Sequence, residues 1–269
     1  MDMDMDMDMD MDRIKAVVLT YDKYRTLTDH MIVKYREVWP DHPFQFRVPY
    51  QELSETLVGV EYIKTPPDIK ETVLTLLRDL HDEELIYWCI DDKYPVELNL
   101  PKIEQTYKWL SLQEQSSVSG VLFCRVRRML KDKYLTGNSI TDDADNVYLE
   151  RSGYEQIWIH QFVRVKVIRQ LFESFPDVIP YASIMDKHKQ QVKKPLSHRT
   201  YVTQENWAVF GESTSEGIVT LNCYKSILEN GLKLPEWHNE TTDEEIIIGK
   251  FSKPKPFYKR LFNYFSGDR

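Results

Sequence analysis

The chain has 269 residues, of which 42% are hydrophobic, and its formal net charge is -8. This hydrophobic fraction excludes a disordered chain, and the acidic balance argues against nucleic-acid binding, which needs a basic face. Three cysteines are widely spaced and form no CxxC pair, which favours a reducing compartment over a disulfide framework or a structural zinc site.

The N-terminus is a repeat rather than a targeting signal. Residues 1–12 alternate Met and Asp, a compositional pattern that predicts a disordered segment. No signal peptide is recognisable, and no run of about 18 apolar residues is present, so we expect a cytoplasmic protein. The remaining length suits a single domain over residues 13–249.

The ordered region opens with a βαβ pattern. Residues 14–21 predict a first strand, 22–25 a polar loop and 27–38 a helix. The helix is expected to end before Pro40, because proline disfavours helical geometry in the preceding residue. Residues 44–48 then predict a second strand, and a short strand at 58–63 precedes a helix with apolar positions between 73 and 80.

The most informative stretch is the apolar run 85–90, which is followed directly by Asp91 and Asp92. The run is too short for a buried helix and predicts a central strand covered on both faces. Ligands of open α/β sheets bind outside the carboxyl ends of strands, where two acids suit a divalent cation with phosphates. The alternative is an ordinary turn, since Asp is common in turns and Pro95 follows closely.

The second half is less regular. Residues 103–110 predict a helix covering the acidic crevice, 120–127 a strand, and 132–153 a long polar loop. Residues 154–175 predict an amphipathic helix, although alternating valines leave a strand open for its first part. Short strands at 208–210 and 217–221 precede a helix at 224–230 that Gly231 caps.

The C-terminal tail, residues 250–269, mixes aromatic and basic residues. This pattern is typical of an amphipathic segment in the headgroup region of an anionic membrane, so peripheral membrane contact is one expectation. A terminal helix that packs on the core is the other.

The order of these elements resembles a GT-A nucleotide-sugar glycosyltransferase over residues 13–237. The sharpest part, residues 88–95 (WCIDDKYP), is similar to the DxD-type motif of that fold, although Lys93 stands where the second Asp would be. The resemblance implies an α/β fold with a Rossmann-type, mostly parallel central sheet and helices on both faces. It also implies a donor-binding half, 13–110, and an acceptor-binding half, 111–249.

The resemblance also implies roles for residues around the donor. Asp91 would contact the ribose or base, and Asp92 would hold a Mg²⁺ or Mn²⁺ bound to the diphosphate, stabilising the leaving group. His198 would be a further metal ligand, with His188 and His238 as alternatives. The nucleotide pocket and phosphate contacts would come from Thr20, Tyr21, Asp22, Arg25, Lys70 and Arg78.

On the acceptor side, an inverting member of the fold needs a carboxylate that takes the proton of the acceptor hydroxyl. Asp186 is similar in position to that base, and Asp143 and Asp145 are alternatives. The acceptor wall would be formed by aromatic and polar residues, namely Arg151, Tyr154, Gln156, Trp158 and His160.

The leading hypothesis is a metal-dependent glycosyltransferase that moves a sugar from a nucleotide-sugar donor to a glycan or lipid-linked acceptor, with inversion. A sugar-phosphate nucleotidyltransferase is the alternative in the same fold, although residues 20–27 contain no glycine for a phosphate-cradling loop. A non-catalytic, membrane-associated binding protein is the alternative from another class.

Overall fold

The computed structural model describes residues 13–53, 55–112, 117–125, 134–177, 179 and 182–250. The predictions for the Met-Asp repeat and for residues 251–269 lie outside this range. Within it, no helix has the length and apolar character needed to span a membrane.

The described part of the chain contains fourteen strands, six α-helices and one short 3₁₀ helix, Asp22–Tyr24. The helices are α1 (Arg25–Val38), α2 (Ile69–Leu76), α3 (Leu100–Leu112), α4 (Val165–Ser174), α5 (Ala182–Gln191) and α6 (Leu221–Glu229). The strands are β1 (Ile14–Leu19), β2 (Phe44–Tyr50), β3 (Glu61–Lys64), β4 (Leu85–Ile90), β5 (Lys93–Leu98), β6 (Gly120–Leu122), β7 (Leu135–Thr141), β8 (Val147–Arg151), β9 (Gln161–Arg164), β10 (Thr200–Thr203), β11 (Ala208–Glu212), β12 (Thr214–Ser215), β13 (Ile218–Val219) and β14 (Ile247–Ile248).

The centre of the fold is a nine-stranded sheet in the order β3-β2-β1-β4-β9-β6-β10-β8-β7. Strands β3, β2, β1 and β4 are mutually parallel, and β9 and β8 run against the other seven. The predicted βαβ opening is therefore confirmed, and the carboxyl ends of β1 and β4 lie side by side.

Residues of β4 alternate between two hydrophobic cores. Tyr87 and Cys89 join α1, α3 and α6 on one face, whereas Ile86, Trp88 and Ile90 join α2 and α4 on the other. Apolar side chains on both faces explain why β4 lacks the polar alternation of a half-exposed strand. The predicted fold class, an α/β protein with a mostly parallel sheet and helices on both faces, is confirmed.

A small second sheet lies directly after the acidic pair. Strand β5 pairs antiparallel with β11, and β11 pairs antiparallel with β14. The alternative prediction of a turn is confirmed for Asp91 and Asp92, which connect β4 to β5, but Pro95 lies inside β5, at the β-bulge where the register with Val209 and Phe210 shifts. A bulge is one of the few places where a strand accepts proline.

Two predictions for the second half are wrong. The described part of the predicted 132–153 loop is a hairpin of β7 and β8, whose turn forms where Asp142 accepts hydrogen bonds from the backbone N–H groups of Ala144 and Asn146. Strand β7 is the mostly exposed edge of the sheet, so its polar residues hid the strand. The predicted helix 154–175 begins only at α4, because residues 161–164 form β9, as the alternating valines allowed.

Candidate functional site

Asp91 and Asp92 directly follow the carboxyl end of β4 and line a cavity, and backbone hydrogen bonds hold both residues in place. The Asp91 N–H donates to the carbonyl of Leu19 at 3.3 Å, and the Asp92 carbonyl accepts from the Ser213 N–H at 2.7 Å. This cavity, called the first cavity below, has a volume of about 360 Å³. It is lined by Leu19, Thr20, Tyr21, Tyr24, Ile69, Ile90, Asp91, Asp92, Lys93, Trp158, Met185 and Asp186.

A buried hydrogen-bond chain holds the strand end that carries these acids. The Tyr35 hydroxyl lies 2.9 Å from the Tyr87 hydroxyl and 2.7 Å from His160 Nδ1. His160 Nε2 lies 2.9 Å from the carbonyl of Ile90, which can only accept, so Nε2 carries the proton and Tyr35 donates to Nδ1. Burial lowers the pKa of His160 to about 3, which keeps the ring neutral. His160 therefore positions the end of β4. It does not line an acceptor site, contrary to the prediction.

Lys93 is the third residue of the acidic stretch and the first of β5. Its side chain is 8% exposed, and its ammonium lies 3.0 Å from Asp92 Oδ1 and 3.9 Å from Glu212 Oε1. The register of β5 and β11 places Lys93 opposite Glu212. The sheet pairing therefore fixes a positive charge beside Asp92.

Burial raises the pKa of Asp91 to about 7, with the charge of Asp92 adding to the rise and Thr20 and Lys93 opposing it. At neutral pH this carboxyl can therefore hold a proton and donate a hydrogen bond, for instance to a hydroxyl or carbonyl oxygen. Asp92 is the more open of the two, with 43% of its side chain exposed.

A second cavity of about 550 Å³ shares Lys93, Trp158 and Asp186 with the first. Its other lining residues are Tyr134, Glu155, Gln156, Ile159, Lys189, Gln190, Glu212 and Ile248. Of the five residues predicted for an acceptor wall, Gln156 and Trp158 line this cavity. Arg151 and Tyr154 are instead buried, as is His160.

Three carboxylates border this second cavity, those of Glu155, Asp186 and Glu212. Asp186 Oδ1 accepts from Lys189 Nζ at 2.6 Å and from Trp158 Nε1 at 2.8 Å. Burial raises the pKa of Asp186, but these hydrogen bonds outweigh it and leave the pKa below its ordinary value. Burial also raises the pKa of Glu212, with Lys93 opposing, and there the rise prevails.

The structure does not bring Asp22 and Arg25 to the first cavity. Asp22 Oδ2 accepts from the backbone N–H groups of Gln51, Glu52 and Leu53, between 2.6 and 3.1 Å. Arg25 is buried and donates to Asp22 Oδ1 and to the carbonyl of Pro49. The pair ties the loop after β2 to the start of α1 and does not line the cavity in which the nucleotide contacts were expected.

Lys70 is also engaged away from the cavity. Its ammonium donates to Asp177 Oδ1 at 2.7 Å and to the carbonyl of Phe175 at 3.0 Å. Lys70 therefore does not line the first cavity, where the diphosphate is expected. The alternative bases Asp143 and Asp145 follow β7, which lies five strands from β4, or about 24 Å at the usual strand spacing.

His198 lies near the amino ends of the parallel strands, whereas Asp92 lies at their carboxyl ends. It precedes β10, which runs in the same direction as β4, so it lies level with the start of β4 rather than its end. Its acidic neighbours are accordingly Glu83 and Asp82, which precede β4. The six residues of β4 separate its two ends by about 17 Å, so the prediction that His198 and Asp92 share a metal is wrong.

The alternative histidines do not line the first cavity either: the ring of His188 packs against Phe175, and that of His238 against Tyr224. Across the described ranges, no cluster of three or more His, Cys, Asp or Glu side chains could hold a metal ion. A dication on Asp92 would also meet the ammonium of Lys93, a like charge. The donor set therefore does not fit a divalent cation, and no reaction step below depends on one.

No protein-family model matches the chain, and no curated protein sequence matches it. Among solved structures, the fold is similar to 4-diphosphocytidyl-2C-methyl-D-erythritol synthase from Anaerococcus prevotii, with 10% identity, a TM-score of 0.39 and coverage of 81% of this chain and 94% of that one.

The galactosyltransferase LgtC, in complex with donor and acceptor sugar analogs, is 11% identical, with a TM-score of 0.37 and coverage of 81% of this chain and 79% of that one. An active-site mutant of LgtC is 10% identical, with a TM-score of 0.38 and coverage of 94% of this chain and 95% of that one. At these low identities and scores, the likenesses assign no residue a role.

Proposed function

We propose that this protein is a glycosyltransferase that uses a nucleotide-sugar donor. The observation that carries the proposal is the pair of cavities at the carboxyl end of β4, which share a wall of Lys93, Trp158 and Asp186. A group-transfer enzyme with two substrates needs two adjoining sites, and the reacting bond must lie where they meet.

The first cavity suits the nucleotide part of the donor. Tyr21, Tyr24 and Ile69 supply apolar and aromatic surface for a base, and Thr20 and Asp91 supply hydrogen-bonding groups for a ribose. The second cavity suits a sugar acceptor, because the ring of Trp158 offers an apolar face beside the polar Gln156, Gln190 and Glu212.

The proposed reaction is a direct displacement with inversion. The acceptor hydroxyl oxygen forms a bond to the anomeric carbon, while the bond from that carbon to the diphosphate oxygen breaks and its electron pair leaves with the diphosphate. The hydroxyl proton passes to a carboxylate that borders the second cavity. Trp158 and the apolar side chain of Met185 would limit access of water to the anomeric carbon.

Two carboxylates stand where the proton would go. Asp186 is the base that the sequence predicted, but two short hydrogen bonds already occupy its Oδ1. Glu212 has a raised pKa and faces the second cavity, which makes it the second candidate. A group whose pKa is closer to the working pH is the more effective general base.

The test is to incubate the full chain with a panel of nucleotide-sugars and glycan or lipid-linked acceptors, and to detect products by mass spectrometry. A product heavier than the acceptor by one sugar, together with free nucleoside diphosphate, is the expected result. Asp186→Asn and Glu212→Gln should each retain nucleotide binding, and the true base should lose transfer by about 100-fold or more.

The same reaction mixture tests the alternative. A nucleotidyltransferase given a nucleoside triphosphate and a sugar 1-phosphate releases pyrophosphate. Pyrophosphate release without sugar transfer to any acceptor would overturn the glycosyltransferase proposal in favour of that activity.

A further inference from the structure

We propose that the ammonium of Lys93 binds the diphosphate of the donor directly, and that this site works without a divalent cation. The inference rests on the proposed function, because it assigns a residue to the phosphate part of that substrate. It replaces the metal that the resemblance implied with a charge that belongs to the chain itself.

The first observation is the charge of the cavity lining. Lys93 is the only basic residue among the described residues that line the first cavity. Of the two cations predicted to reach the phosphates, Lys70 is paired with Asp177, and Arg78 is exposed and does not line this cavity. Arg25, which was predicted for the nucleotide pocket, is paired with Asp22. A diphosphate in this cavity would therefore meet one fixed positive charge, at the wall shared with the second cavity.

The second observation is how Lys93 is held. Pairing of β5 with β11 fixes its backbone, and the side chain is 8% exposed. Its hydrogen bond to Asp92 uses one of three N–H donors, and Glu212 at 3.9 Å lies beyond hydrogen-bond distance. Within the described structure, this leaves donors of the ammonium for phosphate oxygens, and lysine binds phosphate as a point charge.

The third observation is the ligand set around Asp92. Lys93 occupies the position of the second carboxylate of a DxD motif, and His198 lies at the opposite end of the strands from Asp92. Three carboxyl groups line the first cavity, but the ammonium of Lys93 lies 3.0 Å from Asp92 Oδ1, where a cation would bind, and Asp186 Oδ1 already accepts two hydrogen bonds. The same position therefore both removes a metal ligand and supplies the charge that the metal would have supplied.

The chemical role follows from the reaction. When the bond from the anomeric carbon to the diphosphate oxygen breaks, negative charge grows on the diphosphate. A preorganised ammonium at the wall between the two cavities stabilises that charge where it develops, which lowers the barrier. Asp92 acts here as a positioning residue, because its carboxylate holds the ammonium through a hydrogen bond.

The experiment measures binding by isothermal titration calorimetry. The probes are UDP, GDP, CDP, ADP and inorganic pyrophosphate, each in EDTA and in Mn²⁺. The proteins are the wild-type chain, Lys93→Met, Lys93→Arg and Lys189→Met. Lys189 is the matched control because its side chain is also 8% exposed and also paired with an aspartate, yet it lines only the second cavity. Circular dichroism and thermal unfolding confirm that each variant is folded.

The expected result is that at least one nucleoside diphosphate binds the wild-type chain equally well in EDTA and in Mn²⁺. Lys93→Met should weaken that binding about 10- to 100-fold, the range for loss of a hydrogen bond to a charged group. Lys93→Arg should retain most of it, and Lys189→Met should change it by less than about 3-fold.

Three results would overturn the inference. Binding that is lost in EDTA would show that a metal is required, and the proposed function would still stand. Equal weakening by Lys93→Met and Lys189→Met would show a general effect of removing a buried lysine. Binding of no probe in either buffer would overturn the proposed function together with the inference.

Discussion

The Tyr35→Phe substitution tests whether the buried hydrogen-bond chain behind β4 holds the site in place. It removes one hydroxyl that lies 2.9 Å from Tyr87 and 2.7 Å from His160, and it changes almost no volume. Both partners are fully buried, so no water can replace the lost hydroxyl. Each of the two groups left unsatisfied costs about 1 to 3 kcal/mol, so we expect a loss of about 2 to 6 kcal/mol in the free energy of unfolding.

The control is Tyr154→Phe. The Tyr154 hydroxyl is also buried, but within the described structure it has no hydrogen-bond partner. Its removal should change the free energy of unfolding by less than about 0.5 kcal/mol or increase it, since an unpaired buried hydroxyl is unfavourable. Urea unfolding of both variants and the wild type at pH 7 gives the comparison. Equal losses in the two variants would refute the hydrogen-bond chain.

Stability should fall in mild acid, because burial lowers the pKa of His30 and His160 to about 3 and the unfolded state takes up their protons first. The free energy of unfolding should be lower at pH 5 than at pH 7 by about 2 kcal/mol per histidine, and His30→Gln should remove about half of this pH dependence. If urea unfolding gave His30→Gln the same difference between pH 7 and pH 5 as the wild type, the prediction would be contradicted. Gly211→Ala should cost about 1 to 3 kcal/mol, because a Cβ there overlaps the ring of Tyr94. Gly153→Ala, with open space around it, is the control, and equal melting temperatures would contradict the prediction.

The part of the site that follows from local sequence was predictable. The run from Leu85 to Ile90 has no polar interruption, and Asp91 and Asp92 follow it directly, so a buried strand with acids at its exit was expected and is observed. The same is true of α1, which ends at Val38 before Pro40, and of α6 with its positive-φ Gly231 cap.

What sequence reasoning missed depends on pairing between distant segments. Glu212 reaches the site because β11 pairs with β5, and Pro95 had concealed β5. His198 was expected near Asp92, but its position depends on the direction of β10 within the sheet, which no local pattern shows. A Gly-Glu pair at the end of a predicted strand was the one signal that pointed toward Glu212.

The roles of charged residues were the hardest to predict. Asp22, Arg25 and Lys70 have the chemistry of nucleotide contacts, yet each is used within the fold to join loops and helices. Lys93 looked like a departure from a metal-binding motif, whereas its ion pair with Asp92 makes it the cation of the site. Only the partners of a charged side chain distinguish these roles.

The most direct test of the account is a crystal structure of the full chain with the nucleoside diphosphate that binds it most tightly. The account predicts density for the ligand in the cavity at the carboxyl end of β4, with the base against Tyr21 and Tyr24 and the phosphates toward Lys93. Density for the ligand elsewhere on the molecule, with this cavity empty, would contradict it.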